Sequence, residues 1–213
     1  MSIYTPRAFA AQDSATIARI IGEHPFATLV TPGEPELSIS HLPLQYHAGD
    51  GKHGVLVGHM ARANPHWQAF GDAVSVAIFH GPHAYVSPSW YGEPAAAVPT
   101  WNYAVAHVHG RVELMTDPAE TRALLDELVE RYESGRCQPW RLQLEGRPLA
   151  AMLEAIVGFR MVIERVEAKL KLSQNRSVED RERVIKALRA EGYAGAIESA
   201  EWMERYASRV ERG

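Results

Sequence analysis

The densest group of side chains that could do chemistry lies between residues 81 and 103, in the run GPHAYVSPSWYGEPAAAVPTWNY. It combines aromatic rings with hydroxyl and amide groups, namely Tyr85, Trp90, Tyr91, Trp101 and Tyr103 beside Ser87, Ser89, Thr100 and Asn102. Such a mixture suits a planar heteroaromatic ligand, because rings stack on its faces while polar groups pair with its edges. The same aromatic residues are common in strands and would also fill a barrel core. Composition alone leaves both interpretations open.

A second group of residues suits a phosphate. In GHMARANPHW, residues 58–67, Arg62 stands between a predicted strand and a predicted helix that begins at Asn64. A helix N-terminus offers unpaired N–H groups and an arginine offers a forked donor, so the two could hold an anion. Ser40 and His41 in a neighbouring predicted strand would add donors. The alternative makes Arg62 a solvated turn residue and Asn64 a helix cap only.

A third polar group lies in the run KLKLSQNRS at residues 169–177. Its members are Lys169, Lys171, Gln174, Asn175 and Arg176. This pattern predicts either a further contact to an anion or ligand, or the solvated end of a strand.

The histidines raise the question of a metal site, because all ten lie between His24 and His109. His107 and His109 would share one face of a strand, and His41 or His59 could complete a site. The carboxylate partners that orient metal-binding histidines are not evident, so we predict no metal.

The composition limits the classes of function. The chain has 213 residues and a formal net charge of −4, which argues against binding nucleic acid by bulk electrostatics. Its single cysteine, Cys137, excludes a disulfide within the chain and fits a reducing compartment. The start, MSIYTPRAF, lacks the apolar segment of a signal peptide, and no long apolar run follows. We therefore expect a cytoplasmic protein that does not span a membrane.

The elements that must position these groups are mostly short strands. A helix is predicted from Asp13 to Gly22, and strand-like runs follow at residues 27–30, 37–46, 55–60, 73–81, 84–91 and 101–115. Turn-forming sequences separate the runs, and a short helix from Asn64 to Phe70 interrupts them. About six strands with hairpin-length connections favour a closed or nearly closed antiparallel barrel, which also removes exposed sheet edges.

The second half of the chain adds helices to this barrel. Asp117 and Pro118 open an amphipathic helix that runs to about Ser134, and a shorter helix is predicted between residues 148 and 157. One more strand follows over residues 159–172, and Ser177 caps a helix that Gly192 ends. We predict a single domain over residues 1–213, mainly β with helices (α+β), with a C-terminal helical extension from about residue 177.

Several long motifs occur in a recognisable order: PFATLV, SHLPL, GHMARANPHW, IFHGPHAYVSPSWY, VPTWNYAVAHVHG and FRMVIERVEAKLKLSQNRS. Together they resemble the FMN-binding negative transcriptional regulator family, the PaiB-like proteins, from Tyr4 nearly to the end of the chain. Two positions depart from the family pattern, since Ser40 replaces an expected threonine and Ala168 an expected glycine. The first change keeps a hydroxyl, and the second slightly restricts backbone approach near the KLKLSQN segment.

The resemblance implies an antiparallel split β-barrel of the flavin-reductase and pyridoxamine-phosphate-oxidase kind, in a homodimer that binds FMN at the subunit interface. It implies that the FMN phosphate meets His41, His59, Arg62 and Asn64. It implies that the isoalloxazine meets Trp90, Tyr91, Thr100, Trp101 and Asn102. Lys171, Gln174 and Asn175 would reach the cofactor from the same or the partner subunit. No catalytic residue is assigned.

Three hypotheses about function follow. The first is an FMN-binding protein that resembles negative regulators of protease synthesis and sporulation. The family resemblance makes DNA a possible partner, but the acidic net charge and the absence of a helix-turn-helix pair do not support it. The second hypothesis is a flavin-dependent oxidoreductase that uses NADH or NADPH. The third is haem binding through an axial histidine, as in some split-barrel relatives.

Overall fold

The computed structural model of the chain describes residues 3–11 and 13–210. Within these residues, eight strands form one sheet in the order β3-β2-β6-β7-β8-β5-β4, and β1 pairs with β8. The strands are β1 (Ala10–Ala11), β2 (Phe26–Thr31), β3 (Ser38–Pro43), β4 (Gln45–His47), β5 (Val55–Ala61), β6 (Ser75–Val86), β7 (Thr100–Leu114) and β8 (Ile156–Lys171). The α-helices are α1 (Ser14–Glu23), α2 (Pro118–Glu133), α3 (Gly146–Glu154), α4 (Val178–Glu191) and α5 (Ala194–Val210).

The sheet pairs are antiparallel, and their register brings β3 and β5 into defined positions. Leu29 of β2 lies opposite Ser40 of β3 on one side and Ala77 of β6 on the other. His59 of β5 lies opposite Gly158 of β8. The predicted class, an antiparallel β structure with inserted and C-terminal helices, is confirmed.

The longer helices begin where the sequence predicts their caps. In α2, the Asp117 carboxylate accepts the N–H of Ala119 at 2.8 Å, and Pro118 occupies the first turn. In α4, the Ser177 hydroxyl accepts the N–H of Asp180 at 3.2 Å. Gly192 follows α4 with φ of 74°, the left-handed conformation that favours glycine after a helix. The predictions of these two helices are confirmed.

Three elements differ from the sequence predictions. The run at residues 37–46, predicted as one strand, divides into β3 and β4. The runs at residues 73–81 and 84–91, predicted as separate strands, are joined over Ser75–Val86 in the single strand β6, and a 3-10 helix follows at Pro88–Trp90. Gly81 lies inside β6 and makes no turn. A β-carbon added there would lie 2.9 Å from the Ala104 β-carbon. Glycine at this position therefore permits a close approach of the backbone. The helix predicted from Asn64 to Phe70 is a 3-10 helix, Pro65–Ala69.

The chain divides into two compact units. Unit 1 comprises Met1–Glu23, His80–His107 and Glu167–Gly213, and its buried core includes Ile20, Leu188 and Trp202. Unit 2 comprises His24–Phe79 and Val108–Val166, and its buried core includes Leu29, Phe79 and Phe159. The organisation of residues 1–213 as one domain stays a prediction. Among the described residues, no helix has the length and apolar character needed to cross a membrane.

Candidate functional site

Unit 2 contains a cavity of about 550 Å³ lined by β3, β5 and the turn after β5. We call it the histidine cavity, because its polar lining consists of Ser40, His41, His59 and Asn64. Three of the four residues predicted to meet a phosphate therefore lie around one cavity. The remaining lining is apolar and includes Ile39 and Met60.

A chain of hydrogen bonds holds the inner wall of the histidine cavity. The Asn64 amide donates to the Ser40 hydroxyl oxygen at 2.9 Å, and that oxygen lies 2.8 Å from Nδ1 of His66. Nε2 of His66 lies 2.8 Å from the Thr31 hydroxyl, which lies 2.8 Å from the Ser75 hydroxyl. His66 and Ser40 are buried, so this network fixes the Ser40 hydroxyl at the cavity wall.

The network can serve an anion because its hydroxyl groups both donate and accept hydrogen bonds. If Ser75 donates to Thr31 and Thr31 donates to His66, then Nδ1 of His66 donates to Ser40. The Ser40 proton is then free to point into the cavity. Burial lowers the pKa of His66 and favours the neutral imidazole that this order requires.

Sequence reasoning missed His66 and Thr31 as members of this site. The available signal was the segment Asn64-Pro65-His66, in which Oδ1 of Asn64 accepts the N–H of His66 at 3.1 Å. This cap orients the first turn of the 3-10 helix. It also pairs the His66 N–H, one of the helix N-terminal groups predicted to bind a phosphate.

The two histidines that line the cavity, His41 and His59, differ in their surroundings. Nδ1 of His41 lies 3.1 Å from the Thr28 hydroxyl on β2. The described part of the chain gives the His59 imidazole no hydrogen bond or ion pair. Burial lowers the pKa of His59, because the protein removes water from the charged form without offering a counter-charge. His59 is therefore a half-buried imidazole that lines the cavity and has no hydrogen-bond partner among the described residues.

Arg62 lies at a different cavity from His41, His59 and Asn64. Its Nε donates to the main-chain oxygen of Glu154 at 2.6 Å, and its Nη2 donates to that of Ile156 at 2.8 Å. Its guanidinium carbon is 6.0 Å from the centre of the Trp67 ring. The side chain thus attaches the turn after β5 to the start of β8. Its assignment to the FMN phosphate stays a prediction.

In unit 1, Lys171 joins two of the residues predicted to meet the isoalloxazine. Its ammonium group donates to the Thr100 hydroxyl and, at 2.7 Å, to the main-chain oxygen of Trp101. Burial lowers the pKa of Lys171, and the nearby charges of Lys169 and Arg176 lower it further. The position is therefore rich in positive charge and favours an anionic or electron-rich ligand group.

Trp101 borders an open hollow of about 560 Å³ in unit 1. Its side chain is 52% exposed, a large fraction for a tryptophan. The His83 ring lies 6.4 Å from the Trp101 ring, and the Tyr85 ring meets it edge-on at 6.2 Å. His83, Tyr85 and Trp101 thus form an exposed aromatic group on which a planar ligand could stack.

Of the other residues predicted to meet the cofactor, the side chains of Asn102, Gln174 and Tyr91 have partners within the chain. Asn102 is buried, and its amide donates to the Ser173 hydroxyl at 3.0 Å while its oxygen accepts from that hydroxyl at 3.1 Å. Gln174 closes a local turn by donating to the Leu170 oxygen at 2.5 Å. Tyr91 is buried under the Arg176 guanidinium, 4.4 Å from its ring centre. Trp90 is half-buried in a 3-10 helix, and Asn175 is exposed.

Residues 3–165 match the model of a protein family described as "Putative FMN-binding domain". The chain belongs to this family. It is 36% identical over 205 residues to the protease synthase and sporulation protein PAI 2 of Bacillus subtilis (strain 168), with 95% of this chain and 97% of that protein aligned. It is also 30% identical over 215 residues to the uncharacterized protein AN0679 of Emericella nidulans, with 79% and 83% of the two chains aligned.

Solved structures with this fold include a flavocytochrome and an FAD and haem binding protein. The FAD and haem binding protein from Mycobacterium smegmatis superposes with a TM-score of 0.60 at 18% identity, over 86% of this chain and 80% of that chain. The flavocytochrome Anf3 from Azotobacter vinelandii superposes with a TM-score of 0.59 at 17% identity, over 76% and 68% of the two chains. The predictions of the family, of FMN as cofactor and of a split-barrel flavin-binding fold are confirmed.

The residues of this FMN-binding domain fit the cofactor's chemistry. A phosphate needs donors, and the histidine cavity presents the Ser40 hydroxyl and the unpaired His59 imidazole. A flavin ring needs an aromatic face and donors at its edge, and unit 1 presents the exposed Trp101 and the Lys171 ammonium group. Among the described residues there is no cluster of three or more potential metal ligands.

Proposed function

We propose that the FMN phosphate is held in the histidine cavity by Ser40, His41, His59 and Asn64. The observation that supports this most strongly is the His59 imidazole, a half-buried ring that lines the cavity and has no hydrogen-bond partner among the described residues. A partly desolvated imidazole that faces a cavity can form a hydrogen bond with a ligand there. Asn64 and Ser40 stand beside it with fixed orientation. Arg62 is left out of this proposal because two of its guanidinium nitrogens bind main-chain oxygens at another cavity.

We also propose that the isoalloxazine stacks near Trp101 and meets the Lys171 ammonium group of a second copy of the chain. Thr100 contributes through its hydrogen bond with Lys171. Asn102 and Gln174 act as positioning residues, since Asn102 is bonded to Ser173 and Gln174 to Leu170. Trp90, Tyr91 and Asn175 complete the proposed set.

The partner in this proposal is a second copy of the chain. Unit 2 exposes large apolar side chains on and beside β2 and β3, where Phe26 is 65%, Leu37 is 60% and Ile39 is 56% exposed. Ile39 also lines the histidine cavity, so a surface that buries it would cover the cavity. We propose a homodimer that closes the phosphate site in this way. A cytoplasmic location is consistent with the single cysteine.

The biological role that we propose is FMN-dependent regulation of the kind associated with PAI 2, whose name refers to protease synthesis and sporulation. Bound FMN supplies one- or two-electron chemistry, so its redox state could control the protein. A flavin-dependent oxidoreductase is the second candidate. The open hollow beside Trp101 favours it, because a second reactant would need access to the flavin ring.

The proposed phosphate site is tested by titrating FMN and riboflavin into wild-type protein and into His59→Gln. We expect the substitution to weaken FMN binding by about tenfold or more and to leave riboflavin affinity unchanged, because riboflavin lacks the phosphate. His53→Gln is the matched control, since His53 is an exposed histidine in the turn before β5. Equal losses for both ligands would assign His59 to the ring, and no loss would remove it from the site.

The redox role is tested on the FMN-loaded protein without oxygen. Rapid bleaching of the flavin absorbance by NADH or NADPH would favour the oxidoreductase. Absence of bleaching with either nucleotide would favour the regulatory protein. The visible spectrum before the reaction also decides against haem if it has flavin maxima only.

A further inference from the structure

Unit 2 has a second cavity of about 320 Å³, which we call the apolar cavity. The start of α2, the helix α3 and the start of β8 form its wall. Met115, Leu149, Ala150, Leu153 and Val157 provide much of an aliphatic lining. The apolar cavity and the histidine cavity have only Ile156 in common among their lining residues.

The helix α3 indicates that this cavity is incompletely filled by the chain. An amphipathic helix normally buries its apolar stripe against a core. None of the nine residues of α3 is fully buried, although Leu149 and Leu153 line the cavity. A ligand in the cavity would give these side chains the contacts that a closely packed core would provide.

The volume limits the size of that ligand. An engineered apolar cavity of about 150 Å³ accepts benzene, so about twice that volume suits a molecule of one or two rings or a branched aliphatic chain. Small-molecule sites generally combine such an apolar lining with a few fixed polar groups. Here the polar lining consists of Arg62, Thr116, Thr121 and Glu154, and Arg62 carries its positive charge.

Arg62 gives the cavity a positive charge in a defined orientation. Its Nε and Nη2 are held by the main-chain oxygens of Glu154 and Ile156 at 2.6 and 2.8 Å. No carboxylate in the described ranges forms an ion pair with it. The exposed guanidinium is therefore oriented by two hydrogen bonds and still has Nη1 to donate, which suits a carboxylate.

We propose that the apolar cavity binds a small hydrophobic carboxylic acid, with its apolar body beneath α3 and its carboxylate at Arg62. The site requires no contribution from FMN. It would give the protein a second ligand, such as an effector or a reaction partner of this chemical class.

The test compares 3-phenylpropanoate with its uncharged analogue 3-phenylpropanol. Binding to the full-length protein is followed by the NMR signals of methyl groups in Met115, Leu149 and Leu153, with and without FMN. We expect the acid to bind at least about tenfold more tightly than the alcohol. In Arg62→Met, the affinity for the acid should fall to that for the alcohol, and the alcohol should bind as before.

Two substitutions in α3 test the location. Ala150→Leu should fill part of the cavity and abolish binding of both probes. Ala151→Leu is the matched control, because Ala151 is exposed and does not line the cavity. Circular dichroism checks that each variant is folded. If Ala150→Leu does not fold, the comparison of wild type with Arg62→Met still tests the proposal.

Other outcomes would overturn the proposal. Equal affinity for the acid and the alcohol would show that Arg62 does not bind the carboxylate. Methyl signals that do not shift at millimolar concentrations of either probe, about 1 mM and above, would show that the cavity binds neither. Loss of FMN affinity in Arg62→Met with unchanged affinity for the acid would return Arg62 to the FMN phosphate. Because the FMN titration of His59→Gln is a separate measurement, either proposal can fail without the other.

Discussion

At the scale of single residues, His59 and His66 show how burial prepares a neutral polar site. Burial lowers the pKa of both imidazoles, so near neutral pH both are uncharged. His66 uses that state to connect Ser40 with Thr31. His59 has no such partner among the described residues, which makes it the better detector of a bound anion.

The lowered pKa of His59 gives FMN binding a predictable dependence on pH. A phosphate beside the imidazole stabilises its protonated form, so binding takes up a proton and the contribution of His59 grows as pH falls from about 7.5 to about 5.5. The free-energy difference between wild type and His59→Gln should therefore increase as pH falls. Measuring both proteins cancels the titration of the FMN phosphate itself. A pH-independent difference would contradict a contact between His59 and the phosphate.

Stability without ligand should change with pH in the opposite direction. Because folding lowers the pKa of His59 and His66, the unfolded chain takes up protons first as pH falls through about 6.5. The stabilising effect of the neutral imidazoles is therefore present above that pH and is lost below it. Urea unfolding of the FMN-free protein at several pH values measures this loss, and His66→Gln should reduce its slope.

At the scale of elements, capping of α2 connects local sequence to the apolar cavity. Asp117 caps the helix, and Thr121 and Leu124 in its following turns are buried. Met115, just before the cap, lines the cavity and packs against a buried cluster of Val55, Val57 and Leu124. The helix start therefore supports one wall of the cavity.

We expect Asp117→Ala to lower the free energy of unfolding by about 1 kcal/mol, because the N–H of Ala119 loses its acceptor. Asp117→Asn keeps an acceptor and should cost much less. Urea unfolding of the two variants provides the comparison. An equal loss in both would mean that the carboxylate charge, rather than the cap hydrogen bond, stabilises α2.

At the scale of the whole molecule, the balance of charge bears on the choice of partner. The net charge is −4, and three arginines of the most basic helix, α4, are either buried or paired with carboxylates of the same chain. Arg181 is buried, Arg183 donates to Asp180 at 2.9 Å, and Arg189 forms two hydrogen bonds with Glu204 at 2.8 and 3.2 Å. These pairs reduce the positive charge available to phosphates.

We therefore expect only weak, non-specific DNA binding, with a dissociation constant of about 1 μM or weaker at physiological salt. Fluorescence anisotropy with DNA from upstream of the gene, over a range of salt concentrations, measures it. Glu204→Gln frees Arg189 and should raise the affinity slightly. A salt-sensitive nanomolar complex of the wild-type protein would instead establish direct DNA recognition.

The sequence by itself determined where α2 and α4 begin and which class of cofactor the protein binds. Caps at Asp117 and Ser177 act over three or four residues, so they could be predicted without a structure. The order of long motifs indicated an FMN-binding family, because that order can be read from the chain without a structure. The continuous strand β6 could not be predicted, because a glycine between two strand-like runs usually signals a turn. Gly81 is instead required by the close approach of Ala104, which is distant along the chain.

Only the tertiary structure decided which of the candidate residues meet. It joined His59 and Asn64 with Ser40 at one cavity, brought in His66 and Thr31, and moved Arg62 to another cavity. It also gave Asn102 to Ser173, 71 positions away. Hydrogen bonds and burial depend on residues that are distant along the chain, so residue type and spacing identify candidates but cannot assign their partners.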